Sequence, residues 1–228
     1  MRATVLSLSP KMNKMISKEL YDYAEEHSTP EYPFLAELNR ETNLTQVYPR
    51  MLAGHMQGTL LRFISQMISP RRILEIGTFT GYSGINLAMG LTISGKDEGV
   101  LHTIEVDPEQ ETIIRKYIVE AGLEKKIMLH IGEALKIIPT LKETWDLVYI
   151  DADKPNYLNY YKMVFDSVRP GGFILADNAL WDGKVLDENP RSKDTQGIKA
   201  YNDFVMADSR VENLLLPFRD GIMIARKC

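Results

Sequence analysis

The segment Leu74–Gly84, LEIGTFTGYSG, decides the fold class, because it joins a short apolar run to a stretch with helical spacing. Its glycines, Gly77, Gly81 and Gly84, let the backbone turn tightly and approach a ligand, while the helix that follows offers unpaired N–H groups. Their spacing, G-x-x-x-G-x-x-G, differs from the G-x-G-x-x-G of dinucleotide-binding turns, and no lysine is present for a phosphate loop. The segment predicts a strand–turn–helix junction that binds a ligand. A turn that needs glycine only for its shape is the less favoured alternative.

Outward from this junction, the chain after Arg72 alternates short apolar runs with amphipathic stretches. That order is typical of a parallel sheet covered by helices on both faces. The predicted strands are RILEIG, VLHTIEVD, IMLHIG, WDLVYID and GFILAD, and the predicted helices cover residues 81–90, 108–122, 133–142, 155–168 and 194–207. Two last apolar runs, VENLLLPF and GIMIARK, flank the turn RDG and predict an antiparallel hairpin. We expect an α/β fold whose open, mostly parallel sheet is closed by one reversed strand.

The N-terminal part lacks this alternation and is predicted to be helical. Helices are expected over residues 10–27, 33–41 and 49–68. Ser9 and Pro10 give the first of these a cap and a first-turn proline. We therefore divide the chain into an N-terminal helical extension, residues 1–48, and a main domain, residues 49–228.

Composition narrows the class of protein. The 228-residue chain is 44% apolar and 25% charged, which suits one large domain with a normal core. Its formal net charge of −4 disfavours nucleic acid as a partner. The single cysteine, Cys228, excludes a disulfide framework within the chain, and no apolar run approaches the ~20 residues of a membrane span. We expect a soluble, cytoplasmic protein.

Acidic side chains mark the first two strands. Glu75, inside the first strand, is placed to hold a cationic ligand or to fix the amides of the glycine turn. Glu105 and Asp107 lie where the second strand ends, a position at which an acid of a nucleoside-binding fold accepts hydrogen bonds from a ribose. Glu105 is favoured because it lies at the strand tip, with a solvated acid as the alternative. Backbone amides near Ala134, after the third strand, are in place to reach an adenine edge.

Carboxylates also end the fourth and fifth strands. Asp151 follows one strand, and Asp177 and Asn178 follow the other. Because neighbouring parallel strands end at the same edge of a sheet, we expect these side chains to converge. Two carboxylates and an amide oxygen form an all-oxygen set suited to Mg²⁺ or Ca²⁺, although each acid is equally suited to capping the helix that follows. The histidines, at positions 27, 55, 102 and 130, are expected to form no ligand-like pair.

Several motifs together resemble one family. The stretches LEIGTFTGYS, IEVD, YIDADKPNYLNYY, PGGFILADNALWDG and DGIMIARK are similar to those of the cation-dependent class I O-methyltransferases. This family includes the caffeoyl-CoA O-methyltransferases, their bacterial relatives and, more distantly, catechol O-methyltransferase. The similarity runs from about Pro49 to Lys227. It implies a seven-stranded Rossmann-like fold, S-adenosylmethionine as methyl donor, a divalent metal and a homodimer.

By motif position the resemblance also implies roles for single residues. Donor-binding residues of the family match Glu75, Gly77, Thr78, Ser83, Glu105, Ala134 and Asp153. Its metal ligands match Asp151, Asp177 and Asn178. Lys154 matches the lysine treated as the general base in the catechol enzyme, with an ion pair to Asp151 or Asp153 as the alternative.

On the acceptor side the chain departs from the plant enzymes. Asp182 stands where those enzymes carry an asparagine that contacts substrate, and Ala53 stands where they carry a threonine that contacts the donor. Trp181 is placed to wall the aromatic acceptor or to belong to the core. The N-terminal lysine of the plant enzymes has two candidate counterparts, Lys11 and Lys14. We expect residues 1–50 and 179–195 to recognise the acceptor.

The resemblance implies methyl transfer to a hydroxyl of a catechol-like phenol, with Mg²⁺ as the expected metal and Ca²⁺ or Mn²⁺ as alternatives. A metal that binds two adjacent hydroxyls lowers the pKa of the attacking oxygen. Three other functions share parts of the pattern. An NAD-dependent oxidoreductase is disfavoured by the glycine spacing, a methyltransferase for nucleic acid or protein by the acidic composition, and a non-catalytic binding protein by the complete set of metal-ligand residues.

Overall fold

The computed structural model describes residues 16–92 and 99–228, and the chain divides into two compact units, Met1–Pro30 and Glu31–Cys228. In the first unit, helix α1 (Lys18–Glu26) begins where the Ser17 hydroxyl accepts the N–H of Leu20 at 3.3 Å. Within the described residues the helix expected over 10–27 therefore starts only at Lys18. Its predicted start, at Ser9 and Pro10, lies outside the described residues.

The second unit contains a seven-stranded sheet in the order β3-β2-β1-β4-β5-β7-β6. The strands are β1 (Arg72–Ile76), β2 (Val100–Glu105), β3 (Ile127–Ile131), β4 (Trp145–Ile150), β5 (Val168–Ala176), β6 (Val211–Leu216) and β7 (Ile222–Lys227). Strands β1 to β5 pair in parallel, whereas β7 pairs antiparallel with both β5 and β6. The predicted parallel sheet with one reversed strand and a terminal hairpin is confirmed.

The helices agree with the predicted ones in place and differ from them in length. They are α2 (Pro33–Thr45), α3 (Gly54–Ile68), α4 (Tyr82–Ala88), α5 (Glu111–Glu120), α6 (Ala134–Ile137), α7 (Tyr157–Phe165) and α8 (Lys193–Ala207). The prediction of a helix over 49–68 is wrong at its start, because a 3-10 turn (Pro49–Met51) precedes α3 there. The break occurs because Leu52 is extended and Gly54 has a φ of +73°. The helix expected over 133–142 is reduced to α6 and a 3-10 turn that contains Pro139, which has no N–H to donate.

Two apolar clusters, one on each face of the sheet, form the core. Because successive strand residues face opposite sides, Ile73 belongs to one cluster and Leu74 to the other, and Leu147 and Val148 are divided in the same way. Helices α2 to α5 cover the first face, and α7 and α8 cover the second. All four of these strand residues are fully buried. The strand ends are therefore fixed by packing from both sides.

No helix in the described part of the chain is long and apolar enough to cross a membrane. The expected division of the chain at residue 48 stays a prediction.

Candidate active site

The carboxyl ends of three neighbouring strands, β1, β4 and β5, lie side by side. The N–H of Asp151 donates to the carbonyl of Ile76 at 2.9 Å, and the N–H of Asp177 donates to the carbonyl of Ile150 at 3.0 Å. The sheet hydrogen bonds thus continue one residue past each strand. They bring Asp151 and Asp177 to the same edge, as expected from the sequence.

The glycine turn after β1 packs directly on the end of β4. A Cβ on Gly77 would lie 2.0 Å from the carbonyl oxygen of Asp151, and the φ of Gly77 is +95°. A Cβ on Gly84 would lie 2.4 Å from Oε2 of Glu75. Both positions therefore require glycine, because any side chain would displace a strand end or a buried carboxylate.

Glu75 is buried in β1 and is held by hydroxyl groups. Its Oε1 accepts from Ser83 Oγ at 2.6 Å, and its Oε2 accepts from Thr103 Oγ1 at 2.6 Å. The Thr103 hydroxyl also hydrogen-bonds to the hydroxyl of Thr78. Burial raises the pKa of Glu75 to about 8, against the smaller opposing effect of these hydrogen bonds. Three residues predicted to bind the donor, Glu75, Thr78 and Ser83, thus belong to one network.

Glu105, at the end of β2, is the carboxylate that holds an amide of the glycine turn. Its Oε2 accepts the N–H of Phe79 at 2.7 Å, and its Oε1 accepts the N–H of Asp107 at 2.9 Å. Burial raises the pKa of Glu105, although these amides oppose that effect. The Asp107 side chain instead caps the next turn by accepting the N–H of Glu109. Of the two candidate acids, only Glu105 is buried at the strand tip.

Asp177, at the end of β5, is a buried carboxylate with several donors. Its Oδ2 accepts from Gln57 Nε2 at 2.6 Å and from the Tyr149 hydroxyl at 3.3 Å, and its Oδ1 accepts the N–H of Asn178 at 2.8 Å. Burial and then the negative charge of Asp151 raise the pKa of Asp177 to about 6. The two carboxylates are therefore close enough at this edge of the sheet for Asp151 to disfavour ionisation of Asp177.

Lys154 pairs with one of the two aspartates that precede it in sequence. Its Nζ donates to Oδ1 of Asp151 at 3.1 Å and to the Tyr157 hydroxyl at 2.7 Å. Asp153 faces other partners, since it accepts from the Tyr160 hydroxyl and from Asn156 Nδ2. The ion pair that was the alternative to the general-base role is thus present, and it is formed with Asp151.

The loop after β5 has an unusual backbone. Asn178, Trp181 and Asp182 all have positive φ angles, 55°, 48° and 52°, which cost free energy in residues with a side chain. Asp220, between β6 and β7, supports this loop: its Oδ1 accepts the N–H of Asp182 at 2.5 Å, and the Asn178 side chain also hydrogen-bonds to it. The Trp181 ring centroid lies 5.7 Å from Nζ of Lys154 and 5.2 Å from Nζ of Lys184.

The remaining predicted residues lie at the edges of this arrangement or outside it. Ala134 begins α6, and Ala53 is buried just before α3. Lys11 and Lys14 lie outside the described residues. In the described part of the chain, no three or more histidine, cysteine, aspartate or glutamate side chains are grouped to hold a metal. The predicted metal ligands do not form such a group, because the third of them, after Asp151 and Asp177, is the amide of Asn178.

Two of the histidines, which were expected to form no ligand-like pair, contact each other directly. Nδ1 of His102 lies 3.0 Å from Nε2 of His130, and their rings stack. In the register of β2 and β3, His102 is opposite Met128, so His130 lies two residues further on the same face. Burial lowers the pKa of both histidines. Spacing along the chain carries no signal for this pair.

The residues of the arrangement that the sequence analysis missed include Thr103, Gln57, Tyr149, Tyr157, Arg219 and Asp220. Of these, Tyr149 and Tyr157 lie within the stretch YIDADKPNYLNYY, and Asp220 opens the stretch DGIMIARK, so three of them lie in motifs that carry the resemblance. Gln57 occupies an ordinary helix position, and its contact with Asp177 spans 120 residues of sequence.

Comparison with known proteins gives a consistent result. A sequence profile described as O-methyltransferase matches residues 25–228. Catechol O-methyltransferase of Niastella koreensis is 37% identical over 172 residues, covering 74% of this chain and 76% of that protein. Caffeoyl-CoA O-methyltransferase 1 of Nicotiana tabacum is 34% identical over 225 residues, covering 92% of each chain. The crystal structure of the O-methyltransferase from Bacillus cereus in complex with SAH has a TM-score of 0.84 at 30% identity, covering 91% of this chain and 96% of that one. The resemblance and the fold class are confirmed.

Proposed function

The chain belongs to the O-methyltransferase family, and we propose that it methylates a hydroxyl of a catechol-like phenol with the help of a divalent cation at the ends of β4 and β5. It is an S-adenosylmethionine-dependent O-methyltransferase, which excludes the dehydrogenase alternative. The acceptor and the cation are the proposed part. The names of the relatives, catechol and caffeoyl-CoA O-methyltransferases, support a phenolic acceptor.

The observation that carries the proposal is the buried carboxylate of Asp177 beside Asp151. The negative charge of Asp151 disfavours ionisation of Asp177, and a cation between them would remove that repulsion. With the side-chain oxygen of Asn178 they form an all-oxygen donor set, which fits Mg²⁺, and also Ca²⁺ or Mn²⁺. Such a cation, when bound, lowers the pKa of a phenolic hydroxyl and orients it.

We assign the methyl donor to the turn between β1 and α4. Glu105 uses one lone pair of each carboxylate oxygen for a backbone amide, and the others remain for the hydroxyls of a ribose. Gly77 lets the backbone of the turn approach the donor closely. The network of Glu75, Thr78 and Ser83 fixes the shape of the turn. Ala134, at the start of α6, and Asp153, after β4, complete the proposed donor site.

Two roles are considered for Lys154: a general base, and a residue that positions Asp151. In the structure its Nζ donates to Asp151 and to the Tyr157 hydroxyl, so it orients both groups. Positioning of Asp151 is therefore the role that the geometry supports, and proton abstraction by Lys154 stays a prediction.

The acceptor is proposed to bind against Trp181. This ring is partly exposed and lies beside the Lys154 ammonium, so an aromatic substrate stacked on it would lie next to Asp151. The exposed Asp182 follows directly and is held by Asp220. Acceptor specificity is assigned to this loop, within residues 179–195.

Two measurements on matched variants test the function. Asp151→Ala should abolish methylation of caffeic acid, measured as mass gain, while titration calorimetry shows S-adenosylhomocysteine binding retained. Asp203→Ala, which removes an exposed carboxylate on α8, should leave both unchanged. Full turnover in excess EDTA would refute the cation.

A broader panel identifies the acceptor. Catechols, flavonoids and phenolic acyl-CoA esters should include at least one substrate. Methylation of a protein or nucleic acid, with none of these phenols accepted, would refute the phenol proposal. The homodimer implied by the resemblance stays a prediction, to be measured by light scattering.

A further inference from the structure

We propose that Gln57 is a positioning residue that fixes the Asp177 carboxylate in the orientation needed to bind the cation. This inference rests on the proposed function, because it assigns a residue behind the proposed cation site. Gln57 lies on α3 and is 1% exposed. Its Nε2 donates to Oδ2 of Asp177 at 2.6 Å, which is shorter than the 3.3 Å contact from the Tyr149 hydroxyl to the same oxygen.

The orientation of the Gln57 amide is itself fixed from the other end. Nη1 of Arg219, between β6 and β7, donates to Oε1 of Gln57 at 2.9 Å. A guanidinium only donates hydrogen bonds, and an ionised carboxylate only accepts them. An amide placed between them must turn its oxygen to Arg219 and its nitrogen to Asp177. Only one orientation of the Gln57 amide therefore satisfies both Arg219 and Asp177.

A neutral donor suits a carboxylate that must still bind a cation. An ammonium or guanidinium in the place of Gln57 would form an ion pair with Asp177 and compete with the cation for its charge. The amide restrains Oδ2 without neutralising it, while the backbone N–H of Asn178 restrains Oδ1. Residues behind metal ligands act in this way, by fixing ligand orientation.

Tertiary packing holds Gln57 in place. The next residue, Gly58, lies so close to α4 that a Cβ would come within 2.6 Å of the Tyr82 ring. Helix α3 thus packs against α4 at a distance that only glycine allows at this position. The contacts of Gln57 with Asp177 and Arg219 span 120 and 162 residues of sequence, so three separate segments define the orientation of one carboxylate.

The test compares two glutamines on the same helix. Gln57→Met keeps the side-chain length and removes the hydrogen bonds of Gln57 with Asp177, Tyr149 and Arg219. Gln66→Met makes the same change at an exposed position. Binding of Mn²⁺, read from loss of the free-ion EPR signal, should weaken about 10–100-fold in Gln57→Met. It should be unchanged in Gln66→Met. S-adenosylhomocysteine affinity should be unchanged in both. The KM for Mg²⁺ should rise in Gln57→Met more than kcat falls at saturating Mg²⁺.

A second variant covers the case in which Gln57→Met does not fold. Arg219→Leu leaves the amide in place without its fixed orientation, so Mn²⁺ binding should weaken in the same direction but less. Wild-type Mn²⁺ affinity in Gln57→Met, or in Arg219→Leu where the former does not fold, overturns the positioning role. Asp177→Asn distinguishes the two proposals: if it alone loses Mn²⁺ binding, only Gln57 is misassigned. If Asp177→Asn also binds Mn²⁺ normally, the proposed cation site itself is wrong.

Discussion

The contact between Gly77 and the end of β4 yields a quantitative prediction. In Gly77→Ala the added methyl group would lie 2.0 Å from the Asp151 carbonyl oxygen and 2.7 Å from its carbonyl carbon. Ordinary contact begins near 3.4 Å, so the ends of β1 and β4 must separate by more than an ångström. Both ends are tied to buried strands, and the N–H of Asp151 is bonded to the carbonyl of Ile76. The backbone therefore has little freedom to relax.

Two costs contribute to the expected loss of stability. Placing alanine at a φ of +95° costs about 1–2 kcal/mol, part of which is offset because alanine restricts the unfolded chain. Overpacking a close contact costs about 1–3 kcal/mol more. Gly122 isolates the first cost, because its φ is +66° and nothing lies within 4 Å of its added Cβ. Gly77→Ala should thus be about 1–3 kcal/mol less stable than Gly122→Ala.

Urea denaturation of the two variants and of the wild type measures this difference in stability. In a thermal scan, the melting temperatures of the two variants should differ by roughly 2–12 °C. S-adenosylhomocysteine binding should also weaken in Gly77→Ala, because the same displacement opens the turn proposed to hold the donor. Equal stabilities of Gly77→Ala and Gly122→Ala would refute the steric reasoning.

Three further predictions concern single side chains. Burial raises the pKa of Glu75 to about 8, so the folded chain keeps a proton that the unfolded chain releases near pH 4.5, and stability should fall as the pH rises between these values. Glu75→Gln should show a flatter thermal-unfolding profile across that window, and parallel profiles would contradict it. Asp146 accepts the N–H groups of Arg71 and Arg72 at 2.7 and 2.9 Å, so Asp146→Ala should cost about 1–3 kcal/mol in urea denaturation. A loss below about 0.5 kcal/mol would show that water replaces these bonds. Trp181→Ala should raise the KM for a phenolic acceptor roughly 3–10-fold through loss of aromatic contact, with S-adenosylhomocysteine affinity unchanged. An unaltered KM would place the acceptor elsewhere.

Much of the fold was predictable because its signals are local. Apolar runs of strand length, such as WDLVYI, alternate with amphipathic helices, and this order requires a parallel sheet covered on both faces. The RDG turn is too short for anything but an antiparallel connection between β6 and β7. The helix boundaries were less accurate, since the break at Leu52 follows from backbone angles that spacing does not reveal.

The candidate site was predictable to the extent that it follows from strand ends. Asp151 and Asp177 are brought together because β4 and β5 are parallel neighbours, and Glu105 lies at the tip of β2. The choice of partner for Lys154, Asp151 rather than Asp153, was not predictable. It depends on the direction in which the chain turns after β4.

The sequence by itself determined the order of strands and helices along the chain, the glycine turn after β1 and the acids at the strand ends. Periodicity and turn chemistry act over a few residues, so they can be recognised without the fold. Only the tertiary structure decided which side chains support those acids: Gln57 beside Asp177, Arg219 behind Gln57, and Asp220 beneath the loop of Asp182. These contacts join segments 38 to 162 residues apart, and they exist because packing on both faces of the sheet fixes where its edges meet the surrounding helices and turns.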